Sequence, residues 1–108
     1  MSVSDTLISY IVDQLSLVGT VKSKKMFGGV GIFKEDKMFG MLNSSGKFFL
    51  KVDETNIRDY QEKGMLPFAH DKNKTGKMPY FVVPTEVIEN KEVMKEWAEK
   101  SIEIALNK

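Results

Sequence analysis

Along the chain the spacing of apolar positions changes its period more than once. Leu7, Ile8, Ile11, Val12, Leu15 and Val18 recur every three or four residues, the stripe of an amphipathic helix. Ser2 or Ser4 can accept a hydrogen bond from the free amides of its first turn, and Gly19 supplies a left-handed stop. From Val21 to Val52 the period becomes two. Met26, Gly28, Val30 and Ile32 alternate as a first strand, and Glu35-Asp36 breaks it. Met38 to Leu42 is a second strand, Asn43-Ser44-Ser45-Gly46 a turn, and Phe48 to Val52 a third strand. Connections this short make neighbouring strands antiparallel, so a three-stranded meander is expected.

Asp53 then reads as a helix N-cap, with Glu54 favourably placed against the helix dipole. Ile57 and Tyr60 belong to that short helix, which stops at Gly64. Residues 65–70 and 78–83 are apolar enough for two further strands, separated by the polar loop D-K-N-K-T-G-K at 71–77. Asn90 caps a final helix that buries Met94, Trp97, Ala98, Ile102, Ala105 and Leu106. Glu92, Lys95, Glu96, Glu99, Lys100 and Glu103 take its wet face. The expected order is α-β-β-β-α-β-β-α: an α+β, two-layer domain with helices on a mainly antiparallel five-stranded sheet.

Composition narrows the function classes. A chain of 108 residues supports one domain with a real core, expected to span 1–108. It has no cysteine, which removes disulfides, thiolate metal sites and cysteine nucleophiles and suits a reducing, cytoplasmic setting. No apolar run is long enough for a bilayer, so no membrane role is expected, and the N-terminus does not read as a secretory signal. Net charge is +1, yet positions 20–80 hold twelve basic and seven acidic residues, while both ends are mildly acidic. That is a modest basic bias, well short of a dedicated nucleic-acid binder.

The stretch K-K-M-F-G-G-V-G-I-F at 24–33 raises the question of a phosphate-cradling loop. A dinucleotide fingerprint would require glycine at position 34, where Lys34 stands, and a following helix, whereas a strand is expected. No G-K-[ST] sequence completes a P-loop either. Gly28, Gly29 and Gly31 are therefore read as a bulge or tight bend that lets a helix lie close. The same stretch carries a resemblance. With F-L-K-V-D-E-T-N at 49–56, G-M-L-P-F at 64–68 and M-P-Y-F-V-V-P-T-E-V-I-E-N at 78–90, followed by Trp97-Ala98, it resembles the N-terminal domain of the TfoX/Sxy family over about residues 10–106. Members are regulators of DNA-uptake competence in bacteria, or short proteins with this domain alone. The resemblance implies a secretion-chaperone-like α+β fold, with Pro84 and Trp97 among its structural residues. It also implies regulation exercised with a cyclic-AMP-dependent transcription activator. Full-length regulators carry a second, helical domain, whereas this chain reads as the stand-alone domain.

No catalytic set emerges. His70 is the only histidine, without a nucleophile and acid to form a relay or a second histidine at metal-ligand spacing. Asp53 and Glu54 are adjacent at a helix start, where capping explains both. Neither a cofactor nor a metal is expected. Lys22, Lys24 and Lys25 beside Phe27, and Lys72, Lys74 and Lys77 in the 71–77 loop, are the candidate contacts. They suit a protein partner, such as a transcription regulator, or phosphates of a nucleic acid as the alternative. Their bland role is solvated charge that guards strand edges. The methionines fit core positions, Met65 being the ambiguous one. Phe48 and Leu50 alternate with Phe49 and Lys51, so the sheet face away from the helices carries a large ring, and a weak homodimer through it is expected.

Overall fold

The computed structural model describes residues 3–26, 28–67 and 80–107. Ser4 opens α1 (Asp5–Gln14) by accepting from the Leu7 amide at 3.1 Å. The helix ends before Gly19: a 3-10 turn, Ser16–Val18, intervenes, and Gly19 closes that turn with φ of 96°. Lys34 Nζ donates to the Val18 carbonyl at 2.9 Å, occupying an acceptor that the turn leaves free.

Among the described residues five antiparallel strands follow chain order across the sheet: β1 (Lys22–Met26), β2 (Gly29–Lys34), β3 (Lys37–Leu42), β4 (Phe48–Lys51) and β5 (Tyr80–Val82). The α+β class and the total of five strands agree with the pattern, but their distribution does not. The expected first strand is a hairpin of two, because Gly28 turns the chain with φ of 77°. Met26 and Val30 share parity in sequence, yet a two-residue turn pairs Met26 with Gly29 and sends Val30 to the opposite face. Residues 65–67 form no named strand. Pro67 makes an isolated bridge to Phe81, and Leu66 accepts from the Val82 amide at 3.0 Å; proline cannot donate to a ladder. The remainder of that expected strand, with the 71–77 loop and His70, lies outside the described residues.

At the β2–β3 hairpin Glu35 and Asp36 both take positive φ (52° and 70°), the geometry of a tight primed turn. Beyond it the register slips between Ile32 and Phe33: Ile32 faces Gly40, Phe33 faces Met38, and Phe39 is the extra residue. The bulge swings the Phe39 ring into the core. Gly40 makes room beside it, since a Cβ there would stand 3.0 Å from the Phe49 carbonyl and 3.2 Å from the Phe48 ring.

The expected cap at Asp53 begins too early. Asp53 Oδ1 accepts from the Thr55 amide at 2.8 Å, and α2 (Ile57–Glu62) starts only after Asn56. Asn56, which is 2% exposed, accepts from the Asp53 amide at 2.8 Å and donates to the Lys51 carbonyl at 3.2 Å. Ser101 donates to that same carbonyl at 2.7 Å. One oxygen at the end of β4 thus fixes both the turn at 53–56 and the last helix. Buried Pro84 heads α3 (Thr85–Ile88), a single turn that the pattern missed. Asn90 opens α4 (Lys91–Leu106), accepting from the amides of Glu92 (3.1 Å) and Val93 (3.2 Å).

α1 and α4 cover one sheet face. Ile11 and Leu15 meet Val30, Ile32, Phe39, Leu42, Phe48 and Leu50, with Met94, Trp97 and Ala98 from α4. Trp97 anchors as expected, its ring edge-on to Tyr60 at 4.6 Å between centroids. Leu106 does not: it is 41% exposed, and Ile104 is buried instead. Phe49 lies on the outer face as expected but is only 3% exposed.

Candidate interaction surface

β1 reads K-S-K-K-M, and its first four residues are exposed. A strand without apolar alternation cannot lie between two others in a packed sheet, and β1 sits at the edge, hydrogen-bonded among the described residues to β2 alone. The register assigns its side chains. Lys22 stands opposite Phe33 and Lys24 opposite Gly31, on the outer face; Lys25 stands opposite Val30, on the helix side. There its ammonium lies 3.4 Å from the Asp5 carboxylate of α1, with the two side chains 63% and 88% exposed. So exposed a pair is screened by water and leaves both charges accessible. Next to Lys24 the surface is apolar. A Cβ at Gly31 would stand 2.9 Å from the Phe33 ring and 2.9 Å from the Met38 sulfur, so glycine is what lets them close over the strand.

The structure thus gathers Lys22, Lys24 and Lys25 on one strand, two of them on a common face. Phe27 and Lys72, Lys74 and Lys77 lie outside the described residues. The glycines serve strand packing. Gly28 makes the turn, and Gly29 admits the neighbouring strand, since a Cβ there would come within 2.5 Å of the Leu42 carbonyl oxygen. No helix is what approaches them, contrary to expectation; the neighbour is β3. Sequence reasoning gives these lysines a strand-edge guard as their bland role but does not show a separate strand at 22–26, although four consecutive non-apolar residues were the signal for it.

Elsewhere, Asp53, Thr55, Lys100, Glu103, Ile104 and Asn107 line an open cleft of about 370 Å³ between the 53–56 turn and α4. Lys100 is held there by Asp59 at 2.8 Å. Two tyrosines have shifted hydroxyls. Burial pushes Tyr80 up to about 12. Burial also drives Tyr60 well above the ordinary phenol range; the neighbouring Ser101 hydroxyl pulls it back, and the Asp59 carboxylate adds to the rise.

Fold and surface together define a small α+β domain with a helix-covered sheet and a basic, open edge strand. The profile of the TfoX N-terminal domain matches residues 13–105, and the chain belongs to that family. It is similar to the DNA transformation protein TfoX1 of Aliivibrio fischeri, at 36% identity over 75 residues, which cover 68% of this chain and 35% of that protein. The matched segment is thus about a third of the relative's length. Among the described residues no helix is long and apolar enough to cross a membrane.

Proposed function

We propose that this domain is a non-enzymatic interaction module with a role in DNA transformation, and that it acts by engaging a protein partner in the cytoplasm. A transcription regulator is the partner class we favour, from the resemblance to competence regulators. The observation carrying this reading is the exposed basic strand β1 on a domain of this family. Affinity capture from a bacterial cytoplasmic extract tests it, with the wild-type chain beside a Lys24→Glu/Lys25→Glu variant. The expected result is one partner retained near stoichiometry by the wild type and lost from the variant. No retained partner, together with turnover of a metabolite by the pure protein, would overturn the reading.

Three lysines within four residues also favour a second reading, direct nucleic-acid binding. It predicts an affinity that falls by about 0.9 log units per phosphate contacted for each tenfold rise in salt. Absence of any fluorescence anisotropy change at about 100 µM protein, the weak end of non-specific binding, would remove it.

A further inference from the structure

The two edges of the sheet are unequally protected. Along β5 the outer side is occupied by residues 66–67, through the Leu66 carbonyl and the Pro67 bridge. Along β1 nothing pairs on the outer side among the described residues, and Lys22 to Lys25 are exposed. An open edge is a row of unpaired amides and carbonyls, a template for an added strand. Its side chains decide which strand. A second copy of β1 would bring lysines against lysines, and like charges directly opposite repel. An acidic strand meets the opposite situation.

Resting on the interaction reading above, we propose that β1 docks an extended acidic segment of a protein partner as a sixth strand. The register dictates the pattern of that segment. Side chains on the outer face meet Lys22 and Lys24, two residues apart, so acidic residues belong at alternate positions. Side chains on the helix side meet Lys25, which already faces the Asp5 carboxylate. A further carboxylate there gains less, so the intervening positions are uncharged. The occupant is a segment alternating acidic with small uncharged residues, held by backbone pairing and selected by charge.

A short synthetic peptide alternating glutamate and threonine is the probe, titrated into the isotope-labelled protein and followed by backbone amide resonances. Shifts centred on residues 22–26, with slowed amide exchange there, are expected. Lys22→Glu/Lys24→Glu weakens binding at least about tenfold, while the distant Lys47→Glu changes it less than twofold. The same peptide N-methylated at alternate residues loses binding although its charge is unchanged. Equal binding of the N-methylated peptide, shifts centred elsewhere, or no binding at all would overturn the proposal. So would tighter binding of an equally charged oligothymidylate through the same lysines. A captured partner that is indifferent to Lys22→Glu/Lys24→Glu overturns strand addition alone and leaves the interaction reading standing.

Discussion

The Tyr60 ring packs between Trp97 and Phe81, and its hydroxyl is buried without a bonding partner of its own among the described residues. The neighbouring Ser101 hydroxyl donates its own proton to the Lys51 carbonyl, not to the phenol oxygen. An unpartnered buried hydroxyl carries a desolvation cost that its ring does not. Tyr60→Phe should therefore leave stability unchanged or raise it by up to about 1 kcal/mol, read from urea unfolding. A loss above about 1 kcal/mol would show that the hydroxyl is hydrogen-bonded after all. Titration follows from the same burial. Tyr60 and Tyr80 favour the neutral phenol in the folded state, so their contribution is complete below the ordinary value of 10.0. It is lost as pH rises toward about 12 for Tyr80, and higher still for Tyr60. The urea midpoint should decline between those pH values, and less steeply in Tyr60→Phe; an equally steep decline there would exclude Tyr60 as a cause. Little of this was legible in sequence. The helical phase marks Trp97 as buried, whereas the pairing of Asn56 and Ser101 on one carbonyl depends on α4 returning to the end of β4.

Elements were legible where the signal is local. The caps at Ser4 and Asn90 are formed because a short polar side chain before an apolar stripe can reach the first free amides. The hairpin at Gly28 was not, because a two-residue turn leaves the alternation outwardly continuous while reversing the face. The two glycines of that hairpin give different predictions. Gly28 has φ of 77°, and a Cβ added there would meet nothing within 4 Å, so its demand is conformational alone. Gly28→Asn should cost below about 1 kcal/mol, and Gly28→Ala about 1–2 kcal/mol. At Gly29 the obstacle is the Leu42 carbonyl, and Gly29→Ala and Gly29→Asn should both cost about 1–3 kcal/mol through displaced backbone. Thermal unfolding of the four variants checks this; equal tolerance of asparagine at both sites would refute the distinction.

For the whole molecule, two-fold association through the outer sheet face is our proposal for assembly. Phe49 is too buried to contribute its ring, which leaves the half-buried Phe33, Met38, Met41 and Val82. So small an apolar surface supports only weak pairing. Light scattering should show a mass above 12.3 kDa only as the chain approaches about a millimolar. Met41→Lys should hold it at the monomer value, and a constant wild-type mass over that range would exclude the dimer. The order of the strands has one more consequence, for biosynthesis. Because each strand pairs with its predecessor, β1 to β4 can assemble as they leave the ribosome. Their apolar face is sealed only by α4, some forty residues later, or several seconds at about 5–20 residues per second. During that interval α1 alone is available to cover Val30, Ile32, Phe39, Leu42, Phe48 and Leu50, and the part of this face that α4 will bury stays open, a substrate for any chaperone waiting at the tunnel exit.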